Sequence, residues 1–224
     1  MLSASELLET PVERLVARER FIYDRDNLDI KLELKEAARR CMGMGRRMMG
    51  QGWYTPPKAT LDPKTGQGSP YFVYTYATQM AEVEVDMRTG EVTVNRIAAA
   101  FDIGKAINPM LLEGQIDGGI GMGLGYALLE KVILDEGVIK NLNFKDYLIP
   151  TSLDVPRIDA ALLEMSNAHG PFGAKGIGEM PNIPTPATIN NAIANAIGAR
   201  LFELPIDSES VWRAMKGAAG KKVC

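Results

Sequence analysis

The sequence contains few of the residues that hold metal ions or disulfide frameworks. Only two cysteines, Cys41 and Cys224, occur among 224 residues, too few for a disulfide framework or an iron–sulfur cluster. His169 is the single histidine and has no histidine, cysteine or carboxylate at ligand spacing. We therefore expect an ordinary loop histidine, neither a zinc ligand nor half of a serine–histidine dyad. The low cysteine content favours a reducing cytoplasm.

Basic tracts and long apolar runs are also missing. The formal net charge is −3, so binding to nucleic-acid phosphates is not expected. The longest uncharged run of interest, between Asp117 and Glu130, has twelve residues, fewer than the roughly 20 that a membrane helix needs. The first fifteen residues contain no basic segment followed by an apolar core, so no secretory signal is predicted. We expect a cytoplasmic protein without nucleic-acid or membrane partners.

The composition is that of a globular protein, with 46% hydrophobic and 24% charged residues. We divide the chain into an N-terminal helical and hairpin segment, 1–50, and a larger domain, 51–224. In the first, the pattern predicts a short helix at 3–10, a small hairpin before a turn at 24–27, and a helix lined by apolar residues from Leu32 to Cys41.

In the larger domain, alternating apolar residues predict a hairpin from residue 71 to residue 100, with its turn at Arg88-Thr89-Gly90. The sequence then predicts, in chain order, a glycine-rich helix at 109–130, a short hairpin at 132–139, an irregular segment at 143–156 and a strand at 157–165. After these it predicts an amphipathic helix that stops at Gly198, a last helix capped by Asp207 or Ser208, and a loose tail at 221–224.

The helix at 109–130 contains an unusual number of glycines. They stand at positions 114, 118, 119, 121, 123 and 125. Each glycine in a helix costs up to about 1 kcal/mol relative to alanine. Close approach of a neighbouring backbone or of a flat ligand would explain them, whereas an ordinary core helix would use alanine.

Residues 170–181, GPFGAKGIGEMP, form a segment without helical or strand periodicity. We call it the glutamate loop. Its glycines permit close approach of another molecule, and it offers backbone N–H groups, the cation of Lys175 and the carboxylate of Glu179. A ligand-facing loop and a plain connection between two elements are both compatible with this composition.

The glutamate loop resembles the loop that carries the catalytic glutamate in the molybdenum hydroxylases, the family of xanthine dehydrogenase and aldehyde oxidase. The similarity covers roughly residues 52–215. Further matching stretches are FDIGKAINP (101–109), EGQIDGGIGMGLGYALLE (113–130), NFKDYLIPTSLDVP (143–156) and PTPATINNAIANAIGARLFELPI (184–206). The resemblance implies an α+β fold of mixed sheets with flanking helices, equivalent to the C-terminal half of the molybdopterin-binding portion of such enzymes.

The resemblance also implies a molybdenum atom held by molybdopterin, in its plain or cytosine dinucleotide form, and not by side chains. In that family a glutamate takes a proton from a molybdenum-bound hydroxyl group. The oxygen then attacks an electron-poor carbon, hydride passes to a sulfido ligand, and water supplies the product oxygen. The implied substrates are N-heterocycles of the purine or nicotinate type, or aldehydes, and we prefer the heterocycles.

The family's catalytic glutamate falls on Glu179. A general base works best when its pKa lies near the working pH, and desolvation supplies such a shift. Glu179 precedes Met180 and Pro181, so its carboxylate would lose water once a cofactor closes the cavity. A solvated loop glutamate is the alternative.

Cofactor contacts are implied at Gln115 and at five residues of the glutamate loop, Gly173, Ala174, Lys175, Gly176 and Gly178. The amide of Gln115 suits a pterin edge, although a surface helix glutamine is the alternative. Lys175 matches a family lysine but could simply be solvated. Asp102 could orient neighbouring loops, and we favour a strand-end turn.

The molybdenum-binding portion of the family is several times longer than this chain, and its earlier glycine-rich cofactor loop has no match here. The expected partners are therefore a second molybdopterin-binding subunit, an iron–sulfur subunit and an FAD subunit, beside a small-molecule substrate. The alternative is a truncated, non-catalytic homologue that serves as a structural or assembly partner. A small anion-binding module is disfavoured, because residues 180–186 separate the glutamate loop from the next helix.

Overall fold

The computed structural model describes residues 1–58 and 60–219. The chain divides into two compact units, Met1–Thr55 and Pro56–Cys224, whereas the sequence places the boundary after residue 50. The tail predicted at 221–224 lies outside the described residues. None of the described helices is long and apolar enough to cross a membrane.

The first unit combines a three-stranded antiparallel sheet with two helices. Its elements are α1 (Leu2–Leu8), a 3-10 turn (Val12–Arg14), β1 (Leu15–Arg18), β2 (Phe21–Asp24), β3 (Asn27–Glu33) and α2 (Leu34–Gly43). The predicted first helix, the turn at 24–27 and the hairpin of β1 and β2 are confirmed. The prediction missed β3, in which Ile30 and Leu32 are half-buried and alternate with charged residues. Leu32 therefore lies in a strand and not in the predicted helix.

The second unit contains the longer strands and helices. Its elements are β4 (Thr60–Leu61), β5 (Gly68–Ser69), β6 (Ala77–Val85), β7 (Val92–Asp102), α3 (Pro109–Leu128), β8 (Leu134–Asp135), β9 (Val138–Ile139), β10 (Arg157–Leu163), α4 (Thr185–Ile197) and α5 (Ser208–Ala219). The main sheet has the order β10-β7-β6, with β6 antiparallel and β10 parallel to β7. The predicted α+β class is confirmed.

The predicted hairpin is correct from Ala77 onward and wrong before it. Ala77 pairs with Phe101, and β7 ends one residue later at Asp102. Aromatic residues alternate in 71–76, but this segment lies beyond the end of β7, and its bond to β7 is the one that Tyr76 O accepts from the Asp102 N–H at 2.9 Å. Tyr74 and Tyr76 are exposed.

The core of the second unit lies between the sheet and the helices α3 and α4. Its fully buried large side chains come from all three elements and include Ile97, Phe101, Ile116, Ile120, Ile189 and Ile193. The end of α4 is as predicted, because Gly198 adopts a φ of 71°. Asp207 caps α5, since its Oδ1 accepts a hydrogen bond from the Ser210 N–H at 2.7 Å.

Close packing explains three of the glycines of α3. A Cβ atom would lie 2.8 Å from Pro181 Cβ at Gly119, 2.5 Å from Thr185 Cβ at Gly123, and 2.7 Å from Pro150 Cδ at Gly125. At Gly114 and Gly118 a Cβ atom would meet nothing within 4 Å. The packing of α3 therefore requires glycine at 119, 123 and 125, but it does not require glycine at 114 and 118.

The two kinds of glycine should respond oppositely to alanine. Gly118→Ala is expected to raise the free energy of unfolding by about 0.5–1 kcal/mol, because it removes backbone freedom from the unfolded chain. Gly123→Ala is expected to lower it by about 1–3 kcal/mol, because Thr185 must move away from the new methyl group. Urea unfolding of the full chain measures both. Equal effects of the two substitutions would contradict this packing argument.

Candidate active site

The first half of the glutamate loop is fastened to the end of β7. The N–H of Lys175 donates to Ile103 O at 2.9 Å, and the N–H of Lys105 donates to Gly173 O at 2.9 Å. These bonds form an antiparallel bridge between Gly104 and Ala174. Gly104, with a φ of +62°, has no room for a Cβ atom, which would lie 2.3 Å from Gly173 O. Residues 173–175 therefore continue the sheet locally.

A buried ion pair reinforces this attachment. Lys175 Nζ lies 2.5 Å from Asp102 Oδ2, and both side chains are only 9% exposed. The same ammonium group donates to Tyr74 O at 3.1 Å, and Asp102 Oδ1 accepts from the Gly104 N–H at 3.3 Å. Asp102 therefore forms the strand-end turn that the sequence favoured, through the Gly104 N–H, and also contacts the neighbouring loop through Lys175, the role that the sequence made less favoured. Lys175 is not the solvated lysine of the alternative interpretation.

Burial and hydrogen bonding act in opposite directions on Asp102. Burial raises the pKa of its carboxyl group, but the hydrogen bond from Lys175, the Gly104 N–H and the charge of Lys175 together outweigh burial and hold this pKa below its usual value. Because the folded-state pKa is depressed, the pair contributes stability above the pKa that aspartate has in the unfolded chain. That contribution is lost only as the pH falls through the lower folded-state pKa.

The second half of the glutamate loop leads Glu179 into a cavity of about 580 Å³. The lining residues are Thr75, Ala77, Gly176, Gly178, Glu179, Met180, Ile183 and Pro184. Among the described residues, no group donates a hydrogen bond to the Glu179 carboxylate or forms an ion pair with it. The carboxylate is therefore available to accept a proton from a molecule in the cavity.

Residues that follow Glu179 are held by a compact hydrogen-bond network. Pro181 O accepts from Gln79 Nε2 at 2.8 Å and from Thr185 Oγ1 at 2.8 Å. Thr185 Oγ1 also lies 2.8 Å from Gln79 Oε1. Thr185 is fully buried and Pro181 packs against Gly119. The chain on the C-terminal side of the glutamate is therefore fixed to β6, α3 and α4.

Gln115 lies on the opposite side of the same loop segment. Its Nε2 donates to Gly178 O at 3.2 Å, and it lines a second cavity of about 350 Å³, bordered also by Ile103, Lys105, Ile107, Asn108, Leu111, Leu112, Ala174, Lys175, Ile177 and Gly178. The Gln115 Oε1 atom accepts no hydrogen bond from the described residues. Gly178 lines both cavities, so residues 176–179 separate the Glu179 side from the Gln115 side.

The segment 176–179 is suited to contact a flat anionic group. Its four backbone N–H groups donate to no acceptor within the described residues, and a Cβ atom at Gly176 or Gly178 would meet nothing within 4 Å. Backbone N–H groups and an open glycine surface allow close approach of an anion. No set of three or more histidine, cysteine or acidic side chains in the described part of the chain could hold a metal ion. A metal at this site would need ligands from a bound group.

The structure separates the predicted cofactor contacts into two groups. Gln115, Gly176 and Gly178 lie on open surfaces beside Glu179. Gly173, Ala174 and Lys175 contact the end of β7, and the cofactor contacts of both groups stay predictions. His169 is exposed, with its ring 6.3 Å from the ring of Phe72. Sequence reasoning missed Gln79 and Thr185, since neither carries a local signal that links it to the loop.

Comparison with known proteins extends these observations. The family model of the molybdopterin cofactor-binding domain matches residues 2–156. The match includes most of the first unit, although the resemblance noted in the sequence begins near residue 52. The glutamate loop follows the matched region in the chain.

Individual relatives agree with the family model. The xanthine dehydrogenase molybdenum-binding subunit of Escherichia coli O157:H7 is 38% identical over 151 residues, which are 66% of this chain and 20% of that protein. The aldehyde oxidoreductase structure from Desulfovibrio desulfuricans superimposes with a TM-score of 0.72 at 38% identity, covering 79% of this chain and 19% of that one. The structure of quinoline 2-oxidoreductase from Pseudomonas putida 86 superimposes with a TM-score of 0.69 at 28% identity, covering 96% of this chain and 27% of that one. The chain spans about a fifth of the length of the curated relatives it matches.

Proposed function

The chain belongs to the molybdenum hydroxylase family, that of xanthine dehydrogenase and aldehyde oxidase, and we propose that it carries the catalytic base of a molybdopterin-dependent oxidoreductase. Glu179 is the proposed base. Gln115 and the loop segment with Gly176 and Gly178 form part of the proposed cofactor site. The enzyme oxidises an N-heterocycle of the purine or nicotinate type, or an aldehyde, with water as the source of oxygen.

One observation carries this proposal, namely the placement of Glu179 and Gln115 on the two sides of a single glycine-rich segment. A carboxylate without a partner in the described chain faces one cavity, and an amide with an available oxygen faces the other. The segment between them offers free backbone N–H groups. A bound pterin beside a reacting substrate requires a base on the substrate side and, on the pterin side, a neutral amide and backbone N–H donors.

Each residue has a separate task in this mechanism. When bound, the molybdenum–molybdopterin group supplies the centre that accepts electrons from the substrate. A carboxylate oxygen of Glu179 takes the proton of the hydroxyl group that attacks the substrate carbon. The amide of Gln115 and the N–H groups of 176–178 hold the pterin, in its plain or cytosine dinucleotide form. Met180 and Ile183 add apolar side chains to the lining of the Glu179 cavity.

The proposed assembly contains a second molybdopterin-binding subunit, an iron–sulfur subunit and an FAD subunit. Large exposed apolar side chains around the site support a complementary protein surface, among them Ile107, Leu111, Phe172 and Ile183. The exposed α3 surface at Gly114 and Gly118 is open to such a subunit or to the cofactor. The cytoplasm is the proposed compartment.

The molybdenum content of the complex tests this function. We expect near-stoichiometric molybdenum, measured by elemental analysis, and a second large polypeptide when this chain is isolated gently from its own cells. Turnover in H₂¹⁸O should place ¹⁸O in the product, since water is the proposed oxygen source. A chain that is isolated alone and free of molybdenum, under conditions that preserve other molybdoenzymes, would instead support the truncated homologue.

A further inference from the structure

We propose that Asp102 and Lys175 are positioning residues whose ion pair fixes the register of the glutamate loop on the end of β7, and thereby the place of Glu179 in its cavity. This inference rests on the function proposed above. It gives Lys175 a role that does not depend on contact with the cofactor. It also makes Asp102, at the last position of β7, part of the support of the site.

Backbone bonding alone leaves the register of this loop poorly specified. The bridge between Gly104 and Ala174 consists of two hydrogen bonds, and every residue of the loop other than proline offers similar N–H and C=O groups. A slip by one residue would turn each following side chain to the opposite side. Only one residue of the glutamate loop, Lys175, is a cation that can meet the buried carboxylate of Asp102. The pair therefore distinguishes the observed register from its neighbours.

Because Lys175 and Glu179 are close in the chain, the register at Lys175 also determines where the Glu179 carboxylate lies. Lys175 precedes Glu179 by four residues, and the intervening Gly176 and Gly178 have open space where a Cβ atom would be. Within this interval Gln115 donates an exposed hydrogen bond to Gly178 O, and the half-buried side chain of Ile177 packs against the core. Glu179 is thus held by Lys175 and Ile177 on one side and by the network around Pro181 on the other.

The nature of the pair favours specificity over stability. A buried ion pair loses the hydration of both charges, so it adds little net stability compared with apolar side chains of the same size, and its best-attested use is to specify register. Lys175 satisfies its ammonium group with Asp102 and Tyr74 O, and it lies 6.0 Å from the ring of Tyr76. These partners direct the ammonium group at the protein, while Lys175 also borders the Gln115 cavity.

Hydrogen exchange measures the register independently of catalysis. The probes are Asp102→Asn, Lys175→Met and the double variant, each in the full chain within its complex. We expect amide exchange at 173–175 and at Lys105, whose N–H groups are hydrogen-bonded, to rise at least about tenfold in each single variant, since local opening no longer breaks the pair. The double variant should resemble the single ones, because the two residues act as a unit. Peptides from 77–102 should be unchanged.

The molybdenum-loaded complex supplies the second measurement. In the same variants kcat should fall about 10- to 100-fold, because a base displaced by about 1 Å loses much of its effect, while KM and molybdenum content stay unchanged. The matched control is Arg96→Met, which removes another pair on β7 with the same 2.5 Å separation from its partner Asp159. That variant should alter exchange in the loop and kcat by less than about twofold.

Each outcome decides the proposal. Unchanged exchange at 173–175 and at Lys105 overturns it, and so does a rise that extends equally to 77–102, which would make the pair merely structural. Raised loop exchange with an unchanged kcat shows that the pair does not position the base. A wild-type complex without molybdenum overturns the proposed function instead, and the exchange data still decide the register of the loop.

Discussion

Replacing Glu179 with glutamine is expected to lower the kcat of the molybdenum-loaded complex by about 10²- to 10⁴-fold, the range that a positioned general base contributes. Glutamine keeps the size of the side chain but cannot accept a proton at its amide. The carboxylate is exposed and accepts no hydrogen bond within the described chain, so its loss removes no contact that the fold uses. Molybdenum content, subunit composition and thermal stability should therefore equal those of the wild type.

The control for this substitution is Glu203→Gln, which makes the same chemical change at another exposed position of the second unit. Glu203 lies outside both cavities, so this variant should keep its full kcat. Steady-state kinetics and elemental analysis of both variants complete the comparison. If Glu179→Gln retains more than about a third of the wild-type kcat with normal molybdenum content, Glu179 is not the base.

Local signals account for the parts of the fold that the sequence predicts well. The glycine that ends α4, the aspartate that caps α5 and the asparagine that caps α3 all act within a few residues of the helix. The failures are non-local. Residues 71–76 alternate like a strand, yet β7 ends at Asp102, so among the described residues of this segment only Tyr76 is hydrogen-bonded to β7. The strand β3 was missed because Leu32 also fits the apolar spacing of the helix that follows it, and only the pairing of Leu32 with Ile22 places it in the sheet.

The same distinction applies to the candidate site. The motif that contains Glu179 is contiguous, so resemblance to a family identifies it directly. Its support is dispersed, because Asp102 meets Lys175 across 73 positions and Gln79 meets Thr185 across 106. Composition could show that α3 has too many glycines but not which ones face Pro181 and Thr185. Only the packed structure separates these from Gly114 and Gly118.

Gly104→Ala is expected to lower the free energy of unfolding by about 2–5 kcal/mol and to detach the glutamate loop from β7. Two costs combine at this position. A left-handed backbone conformation, with a φ of +62°, costs about 1–2 kcal/mol for a residue with a Cβ atom. The new methyl group would also lie 2.3 Å from Gly173 O and 2.9 Å from Lys175 N, both backbone atoms that cannot turn aside, and such overpacking costs about 1–3 kcal/mol.

The two costs can be separated with Gly66→Ala as the matched control. Gly66 has a nearly equal φ of +68°, but a Cβ atom there would meet nothing within 4 Å. Gly66→Ala should therefore show the conformational cost alone, about 1–2 kcal/mol, and leave hydrogen exchange in 173–179 unchanged. Urea unfolding of the full chain gives both free energies. Equal losses in the two variants would mean that the loop does not press against Gly104, and that the bridge between Gly104 and Ala174 contributes nothing to holding Glu179 in place.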